Sequence, residues 1–399
     1  MSQPEQIVHE EYDDNEAIGV EIEEEPDVDA DEVGEEADTF EDIKRPWNPE
    51  SIRVSTKTFS LRNILDLLAE GSLDLAPDFQ RLQVWKVKQK AQLIESLLLQ
   101  IPLPAFYFAE DSDGAMRVVD GLQRLSTVED FVRGGTDKRG GFRLRELEYI
   151  ADVQGKRFAD LPAPWQRRIF NTQIVVHVID PATPAPVKYD IFRRINTGGT
   201  PLNAQEIRHC MSKPRSRAFL KRCVETSEFS SATSNALRRQ QRMIDREVVL
   251  RFTAFRLLDA VSDYRIYGSM EDLLWRTTER LDDPDDLSDT ALEVLYGELL
   301  QGLRNAELVF GSHAFRKWTD YTERLSPFNR ALFETWTCTL CPQPTDEIAL
   351  VSPRIAELAR KRMTGDVDYI NSITVSTGDV RRVIYRFEVA SSILDSALR

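Results

Sequence analysis

The sequence predicts an α+β protein, in which an α/β domain is followed by an all-helical domain and preceded by a disordered acidic tail. Three observations support this prediction. Strand patterns and helix patterns alternate only up to about residue 212. From about residue 213 onward, apolar residues recur every three to four positions, which is the spacing of amphipathic helices. Residues 1–42 hold 19 of the 67 acidic residues and no Lys or Arg.

The tail, residues 1–42, accounts for the net charge of −16. Outside it, 48 acidic residues are balanced by 51 Lys and Arg, so the rest of the chain is close to neutral. A segment with so many charges and so few large apolar side chains cannot bury enough surface to offset its ordering entropy, and we expect it to be disordered. A solubilising tail, a nucleic-acid mimic covering a basic groove and a partner-docking segment remain alternatives.

The α/β domain is expected to span residues 43–212. Strands are predicted where apolar and polar residues alternate, or where a short apolar run lies between turn residues. One helix is predicted after the capping residue Ser60 and ends at Gly71, and a further helix is predicted to start near Asn203. The predicted elements are a strand at 52–59, a helix between Ser60 and Gly71, a helix at about 88–100, strands at 105–109 and 116–119 around a turn at 111–114, a helix to about 132, a strand at 174–179, a helix through 195 and a helix from about 203.

The helical domain is expected to span residues 213–399, and a helix over about 244–258 is typical of it. Cys338 and Cys341 form a C-x-x-C pair in this domain. We interpret them as buried structural thiols, because their neighbours form the apolar stripe of a helix and no second cysteine pair lies at a metal-ligand spacing.

Several classes of protein are excluded. No run approaches the roughly 18 apolar residues of a membrane span, and the N-terminus lacks the basic start and apolar run of a secretory signal. We therefore expect a cytoplasmic protein with no membrane partner. The sequence has no G-x-x-x-x-G-K-[ST] loop and no G-x-S-x-G elbow, and its four histidines are scattered without a metal-ligand pair.

The strongest candidate site is Asp120-Gly121-Leu122-Gln123-Arg124, between a predicted strand and a predicted helix. A glycine after a strand lets the backbone turn tightly, and the helix start offers unpaired amides and a positive dipole end for a phosphate. Arg124 opposes that dipole, which is unfavourable unless an anion is bound. Asp120 is a candidate magnesium ligand, and Gln123 is a candidate to orient a phosphate or a water. The alternative is an Asp-Gly turn with a salt-bridged Arg124.

Two further segments carry candidate nucleotide-binding residues. Gln80 and Arg81 lie in a predicted loop, where a guanidinium can grip phosphate in a bidentate fork. Asn196 and Thr197, followed by two glycines, are candidate contacts to a base, sugar or phosphate. An ordinary surface loop and a glycine helix cap are the respective alternatives.

A basic stripe is predicted at the start of the helical domain. Arg238, Arg242 and Arg246 are spaced by four residues and therefore share one helix face. Such a stripe is a candidate to follow a nucleic-acid backbone. A solvated face paired with Asp245 and Glu247 is the alternative.

These segments form an ordered set of motifs over about residues 50–212: Pro77-x-Phe79-Gln80-Arg81-x-x-x-Trp85, Leu93-Ile94-Glu95-Ser96, Ile101-Pro102-x-Pro104, Asp120-Gly121-x-Gln123-Arg124-Leu125-x-Thr127 and Phe192-x-Arg194-Ile195-Asn196-Thr197-Gly198-Gly199-Thr200-Pro201-Leu202. The set resembles the N-terminal domain of the GmrSD-type modification-dependent restriction enzymes, which also occurs in stand-alone bacterial proteins. Residues 242–252 are similar to a helical extension often attached to that domain.

The resemblance implies a ParB/sulfiredoxin-like fold, in which the loop before a helix N-terminus binds nucleotide phosphates. It also implies that binding or hydrolysis of a nucleoside triphosphate controls a nuclease activity. The residues that it assigns to the site are Gln80, Arg81, Asp120, Gly121, Gln123, Arg124 and Asn196.

Two departures from the family limit what the resemblance implies. The family usually has Gln where this chain has Leu122, which argues against hydrolysis more than against binding. The restriction enzymes also carry a His-Asn-His nuclease domain, whereas the helical region here has His313 and nothing similar to that signature. We therefore do not expect this chain to cut DNA by that route.

Three functions follow. The first is a Mg²⁺-dependent nucleoside triphosphatase, slow or conditional, that regulates an antiphage or restriction system together with a partner protein. The second is a module that binds the nucleotide without hydrolysing it. The third is a DNA-binding protein or DNA nickase that uses the α/β site and the basic stripe. Leu122 and the acidic tail favour nucleotide binding with slow or conditional hydrolysis.

Overall fold

The computed structural model describes residues 52–75, 85–111, 113–134, 141–195, 203–237, 243–319, 321 and 323–399, with only the backbone of residues 185, 186, 189, 190 and 193. The acidic tail, and with it the prediction of its disorder, lies outside the described residues. Within them, no helix is both long and apolar enough to cross a membrane.

A five-stranded mixed sheet forms the centre of the N-terminal region, in the order β1-β5-β3-β4-β2. The central pair β5 and β3 is parallel, as is the edge pair β4 and β2, whereas β1 with β5 and β3 with β4 are antiparallel. The carboxyl ends of β2 and β4 therefore reach the same edge of the sheet. The strands are β1 (Val54–Ser60), β2 (Leu73–Asp74), β3 (Phe106–Glu110), β4 (Met116–Asp120) and β5 (Gln173–Ile179).

Four helices cover one face of the sheet. Ser60 begins the first of them by accepting a hydrogen bond from the Asn63 amide at 3.2 Å, which satisfies one of the unpaired amides of a helix start. Phe106, Phe108 and Val176 of the sheet are buried beneath these helices. The helices are α1 (Leu61–Ala69), α2 (Val87–Leu98), α3 (Leu122–Arg133) and α4 (Ala163–Asn171).

Two helices cover part of the opposite face, α5 (Ala185–Ile195) and α6 (Ala204–Met211). Phe192 of α5 and Ile207 of α6 bury their side chains against Val119 of β4. Asn203 begins α6 through a reciprocal capping pair with Glu206, with distances of 2.8 and 2.6 Å. The predicted start of this helix is therefore confirmed.

All named elements beyond α6 in the described part of the chain are helical. They pack around one large apolar core that includes Phe252, Leu303, Phe333 and Trp336. The helices longer than ten residues are α7 (Pro214–Val224), α9 (Ile244–Arg256), α11 (Met270–Asp282), α12 (Asp289–Phe310), α13 (Arg330–Leu340), α14 (Thr345–Gly365) and α16 (Val380–Leu398), and the shorter ones are α8 (Ser227–Ala232), α10 (Tyr264–Tyr267) and α15 (Val367–Ser372).

A network of buried ion pairs lies inside the helical core. Glu334 of α13 pairs with Arg386 of α16, and both side chains are fully buried. Glu334 also lies 3.3 Å from Arg251 of α9, which in turn pairs with Glu247 at 2.8 Å. Burial alone would raise the pKa of Glu247, but the nearby Arg330 and Arg251 guanidinium groups lower it to about 2. These carboxylates join three helices.

The predicted α+β class, with a sheet region followed by helices, is confirmed. The strands and helices predicted before residue 212 occur within a few residues of their expected positions among the described residues. The sequence prediction missed the two-residue strand β2 and the helix α4. The observed elements after residue 212 are helical, as expected, apart from an isolated bridge between Arg316 and Phe328.

Candidate functional site

The candidate site is built on the tight turn between β4 and α3. Gly121 begins α3 with a φ of +96°, a left-handed conformation that side chains rarely adopt. A Cβ at this position would also overlap the ring of Phe106. Both the backbone angle and the close packing therefore require glycine here, which explains the Asp-Gly pair in the sequence.

The first amides of α3 have no capping side chain. Gly121 has no side chain, and α3 has no side-chain cap. The first turn contains no acidic residue either. The hydrogen bond from the Leu125 amide to the Gly121 carbonyl starts the helix at 2.9 Å, so the amides of residues 122–124 precede the helical ladder. This helix start presents hydrogen-bond donors and a partial positive charge.

Arg124 turns back from the first turn of α3 towards the sheet. Its Nη2 donates to Asp120 Oδ2 at 2.8 Å and to the Ala105 carbonyl at 3.2 Å, and its Nη1 donates to the Pro104 carbonyl at 2.5 Å. The side chain is 13% exposed. Burial lowers the pKa of Arg124 from its ordinary value, while Asp120 acts in the opposite direction. The salt-bridged arrangement that was the alternative interpretation is thus present.

Phe106 also contacts Arg124, and no role for this residue was predicted from the sequence. The guanidinium carbon lies 4.2 Å from the centroid of the Phe106 ring, within the range of a cation–π contact. The same ring occupies the space beside Gly121. The sequence signal for these contacts was the motif Ile101-Pro102-x-Pro104. This motif leads into β3, and its Pro104 carbonyl accepts a hydrogen bond from Arg124.

Asp120 and Gln123 are the two other predicted catalytic residues. Asp120 is one-third exposed and uses Oδ2 for Arg124. No described residue bonds to its Oδ1 or to the side-chain amide of Gln123. The Gln123 backbone carbonyl accepts from the hydroxyl of buried Thr127 at 2.7 Å, which fixes the first turns of α3. Asp120, Gly121, Gln123 and Arg124 lie in one turn between β4 and α3, and their catalytic and binding roles stay predictions.

Several predicted site residues lie outside the described residues: Gln80, Arg81, Asn196, Thr197, Arg238 and Arg242. Their roles stay predictions. Leu75, the last described residue before Gln80, leaves β2 towards the edge at which β4 ends.

Arg246, the described member of the predicted basic stripe, lies against α6. Its Nη1 is 3.4 Å from Nδ1 of the buried His209, and the side chain is half-buried. The position of Arg246 gives no support to an outward-facing DNA surface. Contact with nucleic acid through this stripe stays a prediction.

Glu95, part of the motif Leu93-Ile94-Glu95-Ser96, holds a loop in place, a role that was not expected from the sequence. Its buried carboxylate accepts hydrogen bonds from three consecutive amides, those of Glu148, Tyr149 and Ile150, at 3.1, 2.7 and 2.9 Å. Burial acts to raise the pKa of Glu95, but these hydrogen bonds hold it below its ordinary value. Glu95 therefore anchors the segment that follows α3 onto α2.

Other cysteines and histidines singled out from the sequence have structural surroundings where the structure describes them. Cys338 and Cys341 are buried, and burial raises the pKa of both thiols, that of Cys341 to about 12. This supports structural thiols over redox chemistry. His177 of β5 lies 3.0 Å from Thr56 Oγ1 through its Nδ1. No group of three or more His, Cys, Asp or Glu in the described part of the chain is arranged to hold a metal ion.

Comparison with known proteins gives a family match over part of the chain. Residues 61–212 match the family described as GmrSD restriction endonuclease, N-terminal domain. No protein of curated function matches the chain. The match includes β3, β4, the Asp120–Arg124 turn and α3, and it ends directly after α6. Residues 61–212 are therefore similar to the GmrSD N-terminal domain, and the match covers less than half of the chain.

Proposed function

We propose that this chain binds a nucleoside triphosphate at the start of α3 and acts as a regulatory component of a bacterial restriction or antiphage system. The observation that carries the proposal is the turn at Gly121, which leaves the start of α3 without a capping side chain next to Arg124 and Asp120. The family match supports the biological setting, because the family is named for a restriction endonuclease.

The phosphate would contact the amides of residues 122–124 and the Arg124 guanidinium. Arg124 has five N–H groups and donates three hydrogen bonds to Asp120, Ala105 and Pro104. The Phe106 ring and the two carbonyls hold the guanidinium close to the helix start. A phosphate can therefore use the remaining N–H groups or replace Asp120 as the anionic partner.

Magnesium fits this site as a companion of the nucleotide. Mg²⁺ is commonly bound by one or two carboxylates together with phosphate oxygens and water, so a single Asp120 is sufficient on the protein side. Asp120 Oδ1 is not bonded to a described residue, and the side chain is one-third exposed. The ion would neutralise charge on the phosphate oxygens.

Hydrolysis, where it occurs, would depend on Gln123. Its side-chain amide makes no hydrogen bond to a described residue, and it belongs to the uncapped first turn of α3. It is the group best placed to orient an attacking water, while Arg124 offsets charge on the transferred phosphoryl group. The Leu122 side chain, unlike the Gln that is usual in the family, offers no second carboxamide beside Gln123, so we propose slow or conditional turnover.

The test measures equilibrium binding of GTP, UTP, CTP and ATP with Mg²⁺, together with phosphate release. We expect wild-type protein to bind at least one nucleotide. Arg124→Ala should weaken that binding about tenfold or more, since a hydrogen bond to a charged group contributes about 1.5–3 kcal/mol. Gln123→Ala removes no hydrogen bond to a described residue and should reduce phosphate release while leaving binding nearly unchanged.

Arg133→Ala is the matched control. Arg133 lies at the other end of α3 and forms an ion pair with Asp66 at 3.4 Å. Its replacement should alter neither binding nor release. If no nucleotide binds to the wild-type protein, the proposed function is wrong. Equal loss in the Arg124 and Arg133 variants would place the nucleotide elsewhere.

A further inference from the structure

Two arginines connect the helices after residue 203 to the sheet. Arg217 of α7 forms an ion pair with Asp74 of β2. Arg117 of β4 pairs with Asp111 and donates to the carbonyl of Met211 at the end of α6. Both arginines are at least nine-tenths buried. A buried guanidinium that loses its partner is left as an uncompensated charge, so these pairs hold the two regions in a defined position.

The two connections act on neighbouring strands. Asp74 and Arg117 are opposite each other in the parallel pairing of β2 with β4. Asp120 follows Arg117 by three residues at the end of β4, and the turn at Gly121 comes next. Displacement of β2 or β4 would therefore be transmitted directly to the start of α3.

The helix that carries Arg217 is firmly held on its other side. Phe219, Leu220 and Cys223 of α7 are buried in the apolar core of the helical region. Asp282 of α11 also accepts hydrogen bonds from the amides of Lys213 and Ser216 at the start of α7, at 2.7 and 2.9 Å. Arg217 thus links β2 to a helix that is packed into the core of the helical region.

Arg217 lies outside the family match, which ends at residue 212. We propose that Arg217 is a positioning residue for the nucleotide site: through its ion pair with Asp74, the helical region holds β2 against β4 and sets the position of the Asp120–Gly121 turn. The inference rests on the proposed function for its ligand, but the positioning effect itself exists without nucleotide. By linkage, nucleotide binding and the packing of α7 would stabilise each other.

The experiment compares four full-length variants, Arg217→Gln, Arg217→Lys, the double variant Asp74→Asn with Arg217→Gln, and Arg222→Gln. The double variant removes the pair without leaving either charge buried, which guards against misfolding. Arg222 is the control, because it lies on the same helix and pairs with Glu293 at the protein surface. Hydrogen exchange of the amides in residues 116–125 is measured without nucleotide, and the dissociation constant for the best nucleotide is measured in parallel.

We expect the double variant to speed exchange in residues 116–125 and to raise the dissociation constant, each by about tenfold, which is within the usual range of coupling between sites. Arg217→Lys should recover part of both effects, and Arg222→Gln should leave both unchanged. Gly302→Ala is the control for a general loss of stability. It disturbs the helical core, so it should speed exchange across the slowly exchanging amides of the whole protein and show no preference for residues 116–125.

Unchanged exchange in the folded double variant would overturn the positioning role, whatever nucleotide binding shows. Faster exchange combined with an unchanged dissociation constant would also overturn it, since the turn would then move without affecting the ligand. Absence of binding by the wild-type protein would contradict the proposed function alone, because the exchange measurement does not require a nucleotide.

Discussion

The Arg124 guanidinium lies 4.2 Å above the Phe106 ring, and that ring also fills the space in which a side chain at position 121 would stand. One aromatic side chain therefore fixes both the cation and the glycine of the candidate site. This relationship explains why the Asp-Gly-x-Gln-Arg turn tolerates no Cβ at its second position.

Gly121→Ala should destabilise the protein by more than the roughly 1 kcal/mol associated with placing alanine at a positive φ, because the new methyl group overlaps Phe106. Gly114→Ala is the matched control, since Gly114 has a φ of +85° and no atom within 4 Å of the added Cβ. Urea unfolding of both variants isolates the packing contribution as their difference. Equal losses would contradict the packing argument.

Glu95→Gln should lower the free energy of unfolding by about 2–4 kcal/mol at neutral pH, because three amides lose a charged acceptor. The pKa of Glu95 is lowered in the folded protein, so its contribution is complete above the ordinary value of 4.5. It is lost as the pH falls below that value and through the lowered pKa.

The pH dependence can be measured by urea unfolding of wild-type protein and Glu95→Gln at pH 7 and near pH 3. The stability difference between the two proteins should shrink at the acidic pH. Glu146→Gln is the control, because Glu146 is exposed and its ion pair with Lys88 is long, at 4.0 Å. A difference that stayed constant with pH would show that the hydrogen bonds, and not the charge of Glu95, carry the effect.

Gly302 and Gly297 of α12 should respond to alanine in opposite directions. A Cβ at Gly302 would lie 2.5 Å from the Thr337 carbonyl oxygen, so Gly302→Ala forces α12 away from α13 and should destabilise by about 1–3 kcal/mol. Gly297 has no atom within 4 Å of the added Cβ, and its replacement should stabilise by about 0.5–1 kcal/mol through helix propensity. Thermal unfolding of both variants measures the contrast, and a loss in both would contradict it.

Glu334→Gln should destabilise by about 3–5 kcal/mol, since Arg386 would remain buried without its carboxylate. The matched exposed change is Glu293→Gln, which breaks the surface pair with Arg222 and should have little effect. Replacing the buried pair by Glu334→Leu with Arg386→Met should cost less than Glu334→Gln alone. Chemical unfolding of the three variants then shows whether the destabilisation comes mainly from leaving a charge buried and unpaired or from losing the ion pair itself.

Much of the sheet region could be predicted from sequence because its signals are local. The Ser60 and Asn203 caps and the glycine after β4 each act within a few residues. The strand β2 could not be predicted, because two residues carry no periodicity. The helix α4 was missed because Ile169 is its one fully buried residue, so its apolar face is narrow.

The candidate site was predictable in part for the same reason. Asp120, Gly121, Gln123 and Arg124 are neighbours in sequence, so one motif revealed them together. The role of Phe106 depends on strand pairing across a register shift in β3, and the pair of Arg217 with Asp74 joins residues 143 positions apart. Neither relationship has a local signature.

The pairing of β1 with β5 has a consequence for synthesis of the chain. Val54 pairs with Ile179, which is 125 residues later in the sequence. At a synthesis rate of about 5–20 residues per second, β1 emerges roughly 6–25 seconds before its partner strand exists. Non-local pairing also slows folding, so β1 stays unpaired until β5 has been synthesised. The lysine and threonines of β1 help to keep this unpaired strand soluble during that interval.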